Sequence, residues 1–306
     1  MVSLRSLPLA LVAAALALPT GACNRNKLPS QSPDDASAGI VLRYAVPQAS
    51  LQQELALQLT RTRLGLYIEA DLEARAELRL SERGSALETR WTVTDVPALT
   101  LDGTVEPGEA DRVRVLLEAQ GQGTVIGDAH GVLDGAATDA DPVNVARMTA
   151  LATEQTPPSA GGAILMTVLS EQLRLPRLPN TALMPGKPAE FEEESETVVT
   201  DADLVLPTTS VYRFTLRKVE PVADTRVAEV DLVVASVAQP EVDPELEPED
   251  AEPAAELESR AEGTLVFDLD RNVPVSMELS RTDSLRIGDQ EVEQTLQIQT
   301  SFAVSR

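Results

Sequence analysis

Few residues in this chain are of a kind that does chemistry at neutral pH. Among 306 residues there is one cysteine, Cys23, and one histidine, His130. A Ser or Cys nucleophile needs a general base beside it, and most zinc sites need several His and Cys together. His130 lies in GDAHGV, no Ser sits in a Gly-x-Ser-x-Gly elbow, and so His130 is expected to be an exposed turn residue. Asp268, Asp270 and Asn272 have the spacing that opens a calcium loop. Val273 stands where that loop needs Gly, however, and Leu279 where it needs a bidentate Glu. A tight turn between two strands explains the same residues. Acids are plentiful but no pair is singled out for glycoside hydrolysis, and four Phe, three Tyr and one Trp are too few to line a sugar cleft. No phosphate loop or dinucleotide fingerprint is present. The chain is therefore expected to be no enzyme, with no catalytic residue, no metal ligand and no cofactor.

That leaves Cys23, in LALPTGACNRN. Before it come one positive charge, Arg5, an apolar run from Leu7 to Leu18, and the small residues Thr20, Gly21 and Ala22. This is the layout of a secretory signal, and the run is too short to cross a bilayer core of roughly 30 Å as a helix. The sequence here resembles the bacterial lipoprotein signal, whose lipobox ends in two small residues and an acylated Cys. Gly21, Ala22 and Cys23 fit it, while Thr20 departs from the usual Leu. The resemblance implies cleavage between Ala22 and Cys23, with Cys23 the lipidation site and new N-terminus. Asn24, in place of the Asp that retains some lipoprotein types in the inner membrane, favours the outer membrane.

The net charge is −24, and removing residues 1–22 takes away one basic residue, Arg5, and no acid. Such a surface repels nucleic acid, because Lys and Arg neutralising phosphate dominate that binding. No nucleic-acid partner is expected, and the membrane is met through the anchor. A single Cys allows no intramolecular disulfide, so stability must come from the core. Residues 23–38, rich in Asn, Ser, Pro and Asp, read as a flexible tether, with folding from about residue 39.

From Leu64 to Leu80 every even position is apolar, while Glu69, Asp71, Glu73, Arg75, Glu77 and Arg79 occupy odd ones. A helix would smear this pattern around its circumference, whereas a strand puts all the apolar residues on one face. The alternation returns in LETRWTVT, RVRVLLEA, VYRFTLRKV, VAEVDLVVASV, TLVFDLD, VPVSMELS and TLQIQTSFAV. We expect a mainly β fold, a curved and largely antiparallel sheet or half-barrel of roughly ten to twelve strands. One-sided sheets need a cover. Asp141-Pro142 opens one candidate helix, up to Pro157-Pro158, and AILMTVLSEQLRL (163–175) supplies a second, with Ile164, Leu165, Val168, Leu169 and Leu173 on one face. The halves 39–135 and 179–306, joined by this helical connector (141–175), are possible pseudo-repeats: GQGTVIGDAHGVL aligns without gaps on AEGTLVFDLDRNV. The acidic, Pro-rich run 239–258 reads as a solvated loop, and both it and the cluster 191–196 are candidate contacts for cations or a basic protein partner.

A lipid-anchored antiparallel sheet with helices on one face resembles the half-barrel envelope lipoproteins, the class that includes LolA, LolB and LppX. That resemblance implies a greasy cavity for a lipid or acyl chain. The stretches LPRLPNTALMPGKPAEFEEE, YRFTLRKVE and EGTLVFDLDRNVPVSMELS are similar to a bacterial domain family of unknown function, with Phe191 where that family often has Trp and Glu262 inside its closing motif. Two functions compete: a structural or interaction protein of the envelope, and a carrier of a hydrophobic ligand. A filled core favours the first, and an apolar void of ~300–1,000 Å³ the second.

Overall fold

The computed structural model describes residues 39–63, 66–131, 160–199, 204–238, 255–288 and 290–305. The strands are β1 (Leu51–Arg63), β2 (Leu66–Arg83), β3 (Ala86–Gly103), β4 (Gln122–Gly127), β5 (Ala189–Val199), β6 (Leu204–Val222), β7 (Thr225–Ala238), β8 (Ala255–Asp268), β9 (Val273–Ile287) and β10 (Gln290–Val304). The helices are α1 (Glu109–Gln120) and α2 (Ala160–Gln172). The fold is mainly β: the described residues form ten antiparallel strands in one unclosed, curled sheet, ordered β4-β3-β2-β1-β10-β9-β8-β7-β6-β5. Two meanders, β1–β4 and β5–β10, join where β1 pairs with β10.

Alternation dictates which face is buried. Along β1, Leu51, Leu55, Leu57 and Leu59 are at most 3 % exposed, and their partners on β2 and β10 (Leu72 and Ile298 for Leu57, Ala70 and Leu296 for Leu59) point the same way. Bulges interrupt the register in β3 opposite Arg75 of β2, at Arg217 in β6 and at Val275 in β9. Bulges of this kind bend a strand and strengthen its twist, which suits a sheet that curls. At the β4 edge the one tryptophan, Trp91, lies flat over its cross-strand partner Gly123, where an added Cβ would fall 2.5 Å from the ring. Only glycine lets the indole settle there.

The segment RVRVLLEA departs from the expected strand and forms most of α1. Val113 and Leu117 fit either period, but the third apolar position is Leu116, buried at 3 %, whereas Val115 is 47 % exposed. Burial at 113, 116 and 117 is helical spacing. Glu109 and Asp111 in the first turn suit the positive end of the helix. The helix α1 packs against β3, and β4 pairs with that strand at the sheet edge. In the strand β1, LQQELALQLTRTR, the inward Gln53 interrupts the apolar series of Leu51, Leu55, Leu57 and Leu59.

The second expected helix is present as α2. Gly161 to Met166 are all buried, as are Val168 and Leu169, so the helix is covered all round rather than on a single stripe. Its N-terminal turn packs on Val105, Ile68 and Val113; at its C-terminal end Gln53 Nε2 of β1 donates to Gln172 O at 3.0 Å. The first expected helix, from Asp141 to Pro157, lies outside the described residues, as do Ala22, Cys23 and the tether. Residues 255–258 of the expected acidic loop belong to β8, with Ala255 and Leu257 buried; 239–254 lie outside the described residues.

Candidate functional site

The buried face of the sheet is not uniformly apolar. Seven polar side chains stand in one cross-strand row, each directly opposite the next: Arg61 on β1, Gln294 on β10, Asp283 on β9, Ser259 on β8, Ser236 on β7, Ser210 on β6 and Glu193 on β5. The alternation that puts Leu59 and Leu296 inward puts Arg61 and Gln294 inward too, because side chains two apart share a face. Arg61, Gln294, Asp283, Ser236 and Ser210 are all at most 9 % exposed.

Buried polar groups are tolerable only when they satisfy one another. Arg61 Nη1 donates to Gln294 Oε1 at 3.2 Å, and Gln294 Nε2 donates to Asp283 Oδ2 at 3.1 Å. Asp283 Oδ1 accepts from Ser259 Oγ at 2.6 Å and from Arg281 Nε at 2.8 Å. The Ser210 and Ser236 hydroxyls pair at 2.8 Å. At the β5 end the Arg177 guanidinium lies 3.0 Å from Glu193 Oε2, an ion pair without hydrogen-bond geometry, and covers the rings of Phe191 at 5.2 Å and Tyr212 at 5.7 Å. Those rings stack on each other at 4.9 Å. Burial pushes the Tyr212 phenol well up and raises Glu193, which Asp128 also repels and Arg177 partly relieves.

Over this belt lies the end of α2. Glu171 reaches Arg281 at 3.9 Å, both side chains nearly buried at 12 and 13 % exposure. Burial drives the Glu171 carboxyl up to about 7, against the opposing pull of Arg281 and Arg174 and with added repulsion from Asp283. Burial likewise lowers Arg174, whose Nε has no hydrogen-bond partner. The belt is chemically a charge-neutralising network rather than a nucleophile with its base. Ser259 donates to a carboxylate that Arg281 and Gln294 also hold, so all three donors converge on Asp283.

Residues singled out above fall elsewhere. His130 is a turn residue, as expected, but a half-buried one: in the turn after β4 its backbone N–H donates to Asp128 Oδ1 at 2.8 Å and its carbonyl accepts from Leu178 N at 2.8 Å. Its Nε2 is buried without a partner. Gly131 follows at φ +77°, and a Cβ there would fall 2.8 Å from Pro176 O, so the turn needs glycine. Asp268 and Asp270 serve a turn. Asp268 Oδ1 accepts the N–H groups of Asp270 and Arg271, and Arg226 holds Asp270 through its backbone N–H and guanidinium. Asp128 and Asp268, aligned in the two similar stretches, thus each take the N–H two residues on. Of the acidic cluster 191–196, Glu193 points inward to Arg177, while Glu192 and Glu194 point out. Among the described residues, no three His, Cys, Asp or Glu are placed to hold a metal ion.

Near the His130 turn, Leu87, Thr89, Val125, Gly127, Asp128, Gly131 and Leu175 line a cleft of about 20 Å³. That is room for a single water, far below the ~300 Å³ at which ligand pockets begin. The chain matches no known protein family and no curated protein. The fold and the belt are therefore what a functional reading has to rest on.

Proposed function

We propose that this chain is a non-catalytic, lipid-anchored protein of the bacterial cell envelope, held in the outer membrane through Cys23 and working as a structural or interaction module. One observation carries the choice of module over carrier: the buried face of the sheet is occupied by the chain's own helix. Leu165, Leu169 and Leu173 of α2 and the turn after it are at most 1 % exposed, in one core with Leu57, Leu72, Ile298, Phe214 and Phe267. In the half-barrel lipoproteins that the chain resembles, sheet and helix enclose a greasy cavity between them, whereas here their side chains meet in a shared core.

The anchor is tested by Cys23→Ser. The variant is expected to lose all labelling by radioactive palmitate and to leave the membrane fraction; a variant that still labels overturns the assignment. The acidic run between β7 and β8 is the contact surface that the charge pattern favours for a basic protein partner. Because Ala255 and Leu257 are buried and pair with β9 and β7, a clean deletion stops at residue 254. Removing 240–254 is expected to abolish capture of a cationic partner with the melting temperature unchanged, and unaltered capture rejects the contact.

A second reading, carriage of an amphiphile, draws support from the belt. It divides an apolar face into one zone around Leu59, Leu296 and Phe214 and another around Leu206, Leu257 and Leu285, so that a polar head and a chain both find matching walls. Mass spectrometry of the purified, undenatured protein separates the two: a co-purifying lipid, or uptake of a fluorescent fatty acid, favours carriage.

A further inference from the structure

We propose that the end of the sheet at which the chain enters the fold is a membrane-docking rim that lies on the bilayer surface with the Met184–Lys187 turn dipping into it, a step that rests on the Cys23 anchor proposed above. Antiparallel pairing gathers at this one end the starts of β1 and β5, the end of β10, and the β2–β3, β6–β7 and β8–β9 turns. The arm from Gly39 joins the fold here. Ile40 and Leu183 exchange backbone hydrogen bonds at 2.8 and 2.7 Å, and the Ala45 N–H donates to Asn272 O in the β8–β9 turn. Residues 23–38, which separate Cys23 from Gly39, span under about 60 Å even when fully extended. A lipid on Cys23 therefore holds this end nearer to the bilayer than the opposite one.

The same end carries apolar surface. Among the described residues seven large apolar side chains are exposed, and four of them, Val46, Met184, Val219 and Val222, lie here, 37–48 % exposed. Val46 follows the Ala45 bond to the β8–β9 turn, and Arg226 ties that turn, through Asp270 at 2.7 Å, to the β6–β7 turn that Val222 flanks. Met184, Pro185, Gly186 and Lys187 form a tight turn, closed by Lys187 N–H donating to Met184 O at 3.1 Å with Gly186 at φ +71°, and all four are exposed. Met beside Lys suits an interface: the thioether enters the acyl boundary while the ammonium stays among the phosphates. Charge agrees with this orientation. The chain carries −24, yet no acid lies between Asp35 and Glu54 or between Glu171 and Glu190, and these are the two stretches that Ile40 and Leu183 pair. Their exposed cations are Arg43 and Lys187. Next to them Glu190 is bridged by Arg213 at 2.8 Å and Glu220 by Lys218 at 3.0 Å. Asp224, exposed at the β6–β7 tip, makes that turn the shallower part of the rim. An anionic bilayer attracts the arm and the Met184 turn and repels the acidic remainder, which sets this end downward.

Fluorescence quenching on the full, acylated chain in vesicles of phosphatidylethanolamine and phosphatidylglycerol tests this. A thiol-reactive dye is placed at Met184→Cys, at Val46→Cys and, at the opposite end of the sheet, at Tyr67→Cys, where the native side chain is 42 % exposed. Immersion by about 5–10 Å should cost the dye at 184 at least about half of its emission to nitroxide-bearing lipids and shield it from aqueous iodide. The dye at 46 should follow the same trend more weakly. At 67 iodide should quench and the lipid nitroxides should not. Iodide quenching at 184 as strong as at 67, on protein that floats with the vesicles, overturns the docking rim and leaves the anchor standing. A dye at 184 that neither iodide nor lipid nitroxide reaches is covered by protein, such as a second copy, and overturns the rim as well. Wild-type protein whose Cys23 takes up the dye carries no acyl group on sulfur, and then the anchor falls and the rim with it.

Discussion

Asp283→Ala is expected to lower the free energy of unfolding by about 3–5 kcal/mol, the range for removing one partner of a buried ion pair. The carboxylate is 6 % exposed and takes hydrogen bonds from Ser259, Arg281 and Gln294 at 2.6, 2.8 and 3.1 Å. Truncation strands three donors at once, and a stranded buried donor costs its full desolvation, about 1–3 kcal/mol each when no water reaches it. The loss comes from what is left behind rather than from the net worth of the pair, which gives a sharper test. Replacing Arg281 and Asp283 together by Leu should cost less than Asp283→Ala, because the charged donor goes with its acceptor and only Ser259 and Gln294 are left stranded. Trp91, the only tryptophan and 6 % exposed, reports unfolding in denaturant by fluorescence. A loss below about 1 kcal/mol for Asp283→Ala would mean that the belt is a row of neighbours and not a coupled network.

Phe267→Ala should be comparably severe, about 3–5 kcal/mol, for an apolar reason. Phe267 is fully buried at the C-terminal end of β8, with the Tyr44 ring tilted against it at 5.8 Å. Tyr44 belongs to the arm that enters the fold, and it ties distant pieces together. Its hydroxyl donates to Pro176 O at 2.5 Å, and its backbone N–H donates to Ala129 O at 2.7 Å. The next residue, Ala45, donates from its N–H to Asn272 O at 3.2 Å. A cavity at Phe267 therefore frees the ring that holds the arm against both the β4 turn and the β8–β9 turn. Phe267→Leu keeps most of the volume and should cost below about 1.5 kcal/mol. Thermal melts of the two variants, ranked against wild type, check the order; equal shifts would put the stabilisation in the aromatic contact rather than in filled volume.

Much of this architecture was legible before any coordinates. Period two along LGLYIEADLEARAELRL survives because a pleated strand leaves no other way to bury Ile68, Leu72 and Leu78 together, and the same logic found most of the strands. The apolar stretch from Ala163 to Leu169, broken only by Thr167, announced a helix packed on the sheet. Local pattern fell short at RVRVLLEA, where Val113 and Leu117 sit four apart and satisfy both periods. Only the packing of Leu116 against β3 separates strand from helix. It fell short at His130 as well, since nothing in GDAHGV says that the chain around Pro176 and Leu178 comes back to cover the turn.

The belt shows where the boundary lies. Each member breaks an alternating run in its own strand: Arg61 after Leu59, Gln294 before Leu296, Asp283 before Leu285. Read singly, each is an inward polar residue of the kind many strands tolerate near an end. What turns seven such breaks into one network is register, the pairing of strands as far apart in sequence as β1 and β10. That pairing is decided by the whole sheet, because a slip of one residue would turn every inward leucine out to water. Glu171 is the same case in miniature. Its sequence places it at the end of an apolar helix, but only the docking of that helix over Arg281 and Asp283 strips its water and drives its carboxyl up. Alternation along a strand is local and can be read from the chain; neighbours across strands, and the dielectric they create, exist only once the chain has folded.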